Sequence, residues 1–315
     1  MAKRKYQVAV ILINYNSSQY TLDCVNSIFA RTSRDLHFQV IVVDNDSRLE
    51  EYKPLEALHS KQDVRVFRSK INTGFSGANM MGVQLAEADY FYFLNNDCVL
   101  VDDCLGKLHS FLEQHQEVAN CSGEMLNANK EYEANFGYFP VLSLKLLGSG
   151  FLKLFHPEKF PDKHVRFSNP IRVDLVNGCS MFVRASAFEE IGGMDTNYFL
   201  YCEEEDMALR LSRHGYQTVL VPGATFQHFV SRSTKKDNSI NLVFLKEFHI
   251  SFLYFYRKNY NASYCRIIQL LYFFKIIWKF YKNWDYVKLA FFILGGAHLK
   301  HSLRFKQKMG SGSEL

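Results

Sequence analysis

An α/β fold is what this sequence predicts, on three observations. Apolar runs of strand length alternate with stretches of helix length through the N-terminal third. The runs are almost continuously apolar, the pattern of parallel strands covered on both faces. Asn and Asp collect just past the ends of those runs, and in an open α/β sheet the strand ends line one ligand-binding crevice.

Taken in order, 6–13 (YQVAVILI) reads as a buried strand, and the loop 14–18 supplies N-caps for a helix over about 19–31. A second strand is predicted over 38–43, a helix around 50–59 and a third strand over 64–68. The turn-rich 72–79 opens a helix to about 86, and a fourth strand over 90–94 ends at Asn95-Asn96-Asp97. Residues 127–170, with Pro140, Pro157, Pro161 and Pro170, read as a variable loop region. Strands are predicted over 173–176 and 179–183, a short helix over 185–191, a helix from 203 to 214 and a strand over 217–221 that leads to His228. From about 240 the chain reads as three helices. The predicted organisation is a body over 1–235, with a nucleotide-binding half (1–100) and an acceptor half (101–235), followed by a basic aromatic tail over 236–309. Gly310-Ser-Gly-Ser-Glu-Leu315 has the composition of an appended tail and is set aside.

Composition narrows the function classes. With 315 residues, 48% hydrophobic and 22% charged, the chain is globular rather than disordered or fibrous. Seven scattered cysteines without a Cys-x-x-Cys pair argue against a disulfide framework or zinc knuckle and for a reducing compartment. The net charge of +5 is uneven: 241–315 hold 12 Lys and Arg against Glu247, Asp285 and Glu314, leaving 25 basic and 29 acidic groups before them. No run reaches the ~18 uninterrupted apolar residues of a membrane-crossing helix.

The polar residues that could carry chemistry fall in a few places. Asn14 with Asn16, Asp44 with Asn45, and Asn95 with Asp97 each follow a strand, and 72–79 add a glycine-rich fourth loop. Turn chemistry explains one such loop; three on one edge point to a ligand. The Asp97 carboxylate could hold Mg²⁺ or Mn²⁺, which keep waters and substrate phosphates as their other ligands. Glu203-Glu204-Glu205-Asp206 opens a helix. Acids there complement the macrodipole, but four in a row repel one another and raise the pKa of at least one, the condition for a general base. On a helix Glu203 and Asp206 share a face while Glu204 points elsewhere, and spacing alone does not choose the base. His228, between Phe226 and Phe229, is either a packed histidine or a neutral imidazole ligand to a metal.

Together, Asn14-Tyr15-Asn16, Val42-Val43-Asp44-Asn45, Asn72-x-Gly74-Phe75-x-Gly77-x-Asn79, Leu94-Asn95-Asn96-Asp97, Val176-Asn177-Gly178, Gly192-Gly193-Met194-Asp195 and Phe199 to Asp206 with Arg210 resemble a family 2 glycosyltransferase of GT-A fold. The likeness covers about 6–232 and is nearest to the bacterial rhamnosyltransferase branch of O-antigen and capsule assembly. It implies inverting transfer from a nucleotide-sugar with a divalent metal, Mg²⁺ or Mn²⁺, on the diphosphate. By position it assigns the nucleoside to Asn14, Asn16 and Asp44, and the ribose and diphosphate side to Asn72, Gly74 and Asn79. Asn95-Asn96-Asp97 takes the place of Asp-x-Asp, with Asp97 and His228 on the metal. Glu204 is the base and Glu203 the second candidate; Gly178, Gly193, Asp195, Tyr201 and Asp206 fall to the pocket for sugar and acceptor. Two departures stand out: Asn95 replaces the first acid of Asp-x-Asp, and the Glu203-Glu204 pair replaces Glu-Asp, lengthening the base by a methylene.

The likeness also implies dTDP-L-rhamnose as donor, ahead of UDP-hexose or UDP-galactofuranose, and a lipid-diphosphate-linked saccharide as acceptor. In the tail, Lys275, Lys279 and Lys282 fall within about 60° of one helical sector among apolar faces, with Trp278 beside them. That is the pattern of a helix in the headgroup region of an anionic membrane, not of a nucleic-acid site; an ordinary core or a homodimer interface is the alternative. The expected location is the cytoplasmic face of the bacterial inner membrane, peripherally bound. Competing classes are a sugar-phosphate nucleotidyltransferase, whose Gly-rich basic loop after the first strand is missing, a glycosidase, which needs no such crevice, and a non-catalytic saccharide-binding module at the membrane.

Overall fold

The first four apolar runs form β1 (Tyr6–Asn14), β2 (Phe38–Asn45), β3 (Val64–Ser69) and β4 (Ala88–Asn95) of a computed structural model that describes residues 4–229 and 241–307. The 235/236 division and the 310–315 segment lie outside those residues. The four strands pair in parallel in the order β3-β2-β1-β4. They are connected through α1 (Ser18–Arg31), α2 (Leu49–Tyr52) with a 3₁₀ stretch after it, and α3 (Gly74–Gln84). Alternate side chains of β1 point to opposite faces: Val8, Val10 and Leu12 pack with Cys24 and Ile28 of α1, Ala9 and Ile11 with Ala78 of α3. Both faces are dry, which is why the runs lack polar alternation. Register sets Asn14 opposite Asp44 and Ile13 opposite Asn95, so the polar strand ends share one edge.

The expectation of a parallel sheet holds only for that half. β5 (Cys98–Leu100), α4 (Cys104–Gln114) and β6 (Val118–Leu126) were not anticipated. β6 is buried nearly throughout yet carries Asn120, Ser122 and Glu124, so it shows no apolar run. Between 127 and 170, read as loop, lie β7 (Tyr132–Glu133), β8 (Phe136–Gly137) and α5 (Leu142–Lys153), the last kinked at Gly148 with φ 77. The strand predicted over 173–176 divides into β9 (Ile171–Val173) and β10 (Leu175–Val176), which join different sheets. Then come β11 (Ser180–Arg184), α6 (Ala185–Glu190), α7 (Glu203–Arg213) and β12 (Gln217–His228). The main sheet continues from β4 through β11, β6 and β12 to β5. β11 runs antiparallel to both β4 and β6, so the sheet is mixed. Pro222-Gly223 does not end β12; it makes a register shift between Val221 and Thr225, and the strand goes on to His228.

The C-terminal helices are α8 (Leu242–Asn259), α9 (Ala262–Ile277) and α10 (Asp285–Leu294). α8 is no loose appendage. Its Ile250, Leu253 and Phe255 share a core with Tyr198, Cys202 and Leu209, and Ser251 donates to the Leu200 carbonyl at 2.8 Å. α9 ends at Ile277, so Lys279 and Lys282 do not prolong the face of Lys275 as a single helix would. All seven cysteines are free and buried. Among the described residues no helix is long and apolar enough to cross a membrane.

Candidate active site

At the C-terminal edge of β1 and β2 the polar side chains hold one another. Asn14, fully buried, donates from Nδ2 to Asp44 Oδ1 at 2.8 Å and to Ser47 Oγ at 3.1 Å, while its own Oδ1 accepts from Thr21 Oγ1 at 2.8 Å. Arg68, stacked 4.4 Å from the Tyr52 ring centre, brings Nε to 3.5 Å from Asp44 Oδ2. Asn16 takes φ 52 and accepts from the Arg48 N–H at 2.9 Å. Asn45, noted beside Asp44 in the sequence but given no role there, donates to Asn72 Oδ1 at 3.0 Å and accepts from the Thr73 N–H at 2.9 Å, pinning the glycine-rich loop to β2. Gly74 is required there: with φ +75, any Cβ would lie 2.1 Å from the Phe199 carbonyl oxygen. Asn79 is buried and donates back to the Phe75 carbonyl at 3.1 Å, a brace within α3.

Two contacts carry this edge to the acids. Phe75 N–H donates to the Phe199 carbonyl at 2.8 Å, four residues before α7 begins. Asn95 N–H donates to the Cys179 carbonyl at 2.9 Å, and the neighbouring Gly178 lies against the Glu204 carboxylate, whose Oε1 would stand 3.5 Å from a Cβ on residue 178. The Cys179 thiol accordingly feels both Asp97 and Glu204. Asp97 and Glu204 therefore both lie close to the same short segment, 177–179, beside the end of β4.

Burial pushes the carboxyls of Glu203, Glu204 and Glu205 up; for Glu203 and Glu205 the neighbouring Glu204 charge adds to it, and for Glu204 its own backbone N–H and the Glu205 carboxyl work against it, with Gly178 a smaller contribution. One carboxylate oxygen of each finds no hydrogen-bond donor among the described residues. Such groups can accept a proton near neutral pH.

Glycosyl transferase family 2, as a sequence family, matches residues 9–192, more than half of the chain. The chain belongs to that family. Rhamnosyltransferase WbbL of Escherichia coli (strain K12) is 27% identical over 237 residues, covering 72% of this chain and 85% of that protein. An N-acetylglucosaminyl-diphospho-decaprenol L-rhamnosyltransferase of Mycobacterium tuberculosis is 39% identical over 70 residues, 22% of this chain and 23% of its own. Among solved structures, GalNAc-T7 with UDP, GalNAc and Mn²⁺ superposes with a TM-score of 0.58 at 15% identity, over 80% of this chain and 50% of that one. That likeness supports the GT-A arrangement of the sheet and its helices. The chain is thus a glycosyltransferase.

In this family 2 glycosyltransferase the donor set for a divalent cation is compact. His228 Nε2 stands 3.1 Å from Asp97 Oδ1, and these atoms with Cys98 Sγ lie within 4.8 Å of one another. The Cys98 thiol is turned to the Cys179 carbonyl at 3.8 Å, and a hard cation that binds a diphosphate favours oxygen and nitrogen over sulfur. One carboxylate and one imidazole remain, a set that suits a cation taking its other ligands from a diphosphate, and suits Mn²⁺ better than Mg²⁺ because of the nitrogen. Asn95, in the place of an acid, contributes its backbone to Cys179. Asn96 donates to Ser17 Oγ at 2.7 Å and Thr21 Oγ1 at 2.8 Å, which ties the motif to α1.

Four of the residues assigned to the acceptor pocket also make contacts that hold the frame. Asp206, fully buried, accepts from Arg210 Nε at 2.8 Å, Lys258 Nζ at 2.8 Å and Asn259 Nδ2 at 3.0 Å, so its carboxylate is spent on fixing α7 to α8. Asp195 is held by Tyr254 at 2.9 Å and Lys258 at 2.8 Å. Gly193, at φ +72, leaves its Cβ position 2.8 Å from Met80 Cε and its carbonyl accepting from Arg210. Tyr201 takes φ 74 and sets its ring 5.7 Å from Phe248 of α8. Of the five, Gly178 lies against Glu204 and Tyr201 stands in the field of Glu203. Lys145 of α5, absent from the motif reading, stands in the field of Glu205 and 5.4 Å from the Phe252 ring centre.

Proposed function

We propose that this glycosyltransferase moves a hexose, with inversion, from dTDP-L-rhamnose to a hydroxyl of a lipid-diphosphate-linked saccharide at the cytoplasmic face of a bacterial inner membrane. The observation that carries the reading is that the Asp97–His228 pair and Glu204 both lie close to segment 177–179. The rhamnosyltransferase names among its relatives support the donor, and the decaprenol-linked one supports the acceptor class.

The nucleoside sits against Asn16 and Asp44, the latter positioned by Asn14 and Arg68, and the diphosphate lies toward Asp97 and His228. Asp97 and His228 would hold a divalent cation, which would supply charge neutralisation to the departing diphosphate. Glu204 takes the proton of the acceptor hydroxyl as that oxygen bonds to the anomeric carbon. The bond from the anomeric carbon to the diphosphate oxygen breaks, its electron pair leaving with the nucleoside diphosphate. Gly178, without a side chain, lets the Glu204 carboxylate lie close against segment 177–179. Glu203, buried behind it, raises the cost of a second negative charge in the turn. The tail contacts an anionic membrane through the exposed Phe274, Trp278 and Trp284 with Lys275 and Lys282 beside them.

A panel of nucleotide-sugars with and without Mn²⁺ or Mg²⁺, read by the nucleoside diphosphate released, tests the reading. Release of dTDP from dTDP-L-rhamnose, raised by the cation, is the expected result. Release of UDP alone moves the assignment to a UDP-hexose or UDP-galactofuranose, and binding without release in the presence of lipid-linked acceptors points to a saccharide-binding module.

A further inference from the structure

α5 is an apolar helix with no buried face. None of its residues is buried, and Leu146, Leu147 and Phe151 are exposed, followed by Leu154 at 76% and Phe155 at 65%. A solvated surface helix shows the opposite composition.

Its position is fixed by neighbours on both sides. The Leu142 N–H donates to the Tyr264 hydroxyl of α9. Lys145 stands over Phe252 of α8, with Glu205 of the acid turn and Lys275 of α9 both in its field. α9 in turn exposes Ile267, Leu270, Phe274 and, one turn on, Trp278, at steps of three and four residues that make one stripe. Two unpartnered apolar faces thus start from the same point, Lys145, beside the first turn of α7.

We infer that α5 and the segment to Phe155 form a second membrane-contacting element, which seats in the interfacial region of an anionic phospholipid bilayer together with α9. Charge selects this occupant. Residues 142–166 carry Lys145, Lys153, Lys159, Lys163 and Arg166 against Glu158 and Asp162, and α9 leads into Lys275, Lys279 and Lys282. A second copy of the chain would set lysines against lysines, whereas lipid phosphates neutralise them. The 12 residues of α5, two short helical pieces meeting at Gly148, are too few to cross a bilayer and suit a segment lying in its surface. The inference rests on the lipid-linked acceptor reading above. It adds that the acceptor's lipid stays in the bilayer under α5 while its sugar reaches Glu204 past Lys145.

The chain's two tryptophans, Trp278 and Trp284, make the test clean. Full-length protein carrying Trp278→Phe, Trp284→Phe and Phe155→Trp has one reporter on α5's extension; protein carrying only Trp284→Phe has one on the tail. Each is titrated with phosphatidylcholine–phosphatidylglycerol vesicles whose acyl chains are brominated. Quenching of both reporters, lost without phosphatidylglycerol, is the expected result. Quenching of Trp278 alone overturns the role of α5 and leaves the tail contact standing; quenching of neither overturns both. A reporter at 155 that shifts with protein concentration and ignores vesicles assigns the face to a second copy. In the otherwise native chain, Leu147→Gln with Leu154→Gln is expected to weaken vesicle binding about ten- to a hundredfold, with an unchanged melting temperature because both side chains are exposed. Unchanged vesicle binding contradicts the proposal.

Discussion

The donor edge of the sheet and the first turn of α7 both concentrate polar side chains, and they are built in opposite ways. At the donor edge Asn14, Asp44 and Asn45 meet one another's needs, so the crevice keeps its shape before any ligand arrives. In the acid turn one oxygen each of Glu203, Glu204 and Glu205 is left without a donor among the described residues. In the proposed reaction the open oxygens lie where Glu204 would receive a proton, and the satisfied ones where the donor crevice has to keep its shape. Asp206 shows that the distinction follows surroundings rather than residue type: it belongs to the same acidic run, yet Arg210 and Lys258 consume it.

That contrast can be broken most sharply at Glu204. Glu204→Gln keeps the size and the Gly178 contact but cannot take a proton, and turnover is expected to fall about 10²- to 10⁴-fold, with donor affinity by calorimetry unchanged. Asp206→Ala addresses the opposite kind of acid. It strips a buried carboxylate from two cations, and a stability loss of about 3 kcal/mol is expected in denaturant unfolding, the lower end of the range because Lys258 is partly exposed. His228→Ala is expected to weaken Mn²⁺ binding about tenfold or more, read by calorimetry in the presence of nucleoside diphosphate, while the fold persists.

The smallest effect concerns pH. Glu203 has its folded pKa raised by burial, so its contribution to stability is whole below the ordinary carboxylate range and is lost as pH rises through the raised value. Glu203→Gln carries no such liability. The melting temperature of the variant should gain on that of the native chain as pH climbs from acid to neutral, and parallel curves would contradict the burial of that charge.

How much of this was legible depended on whether a residue's surroundings were local. β1 and β2 announce themselves because both faces of the strands are dry. β6 stayed hidden because Asn120, Ser122 and Glu124 are buried in it with partners from distant segments, such as Arg166 on Glu124 at 2.9 Å. α5 was read as loop because Gly148 and the prolines around it are breakers, and its apolar residues lack the periodicity of a helix with one buried side. Among the site residues, helical geometry alone separated Glu204 from Glu203 and Asp206. It could not show that Lys258, 52 residues on, would claim Asp206, nor that the Cys179 carbonyl would join Asn95 to the Glu204 side of the crevice. Arg68 offered no signal beyond a basic residue in an edge strand.

The most direct measurement is a crystal structure of the full chain with Mn²⁺ and a non-transferable analogue of the donor, using anomalous scattering to locate the metal. The account expects the manganese peak beside Asp97 and His228, and the sugar's anomeric carbon open on the side of Glu204. A metal bound elsewhere, or an anomeric carbon facing away from Glu203 to Glu205, would contradict it.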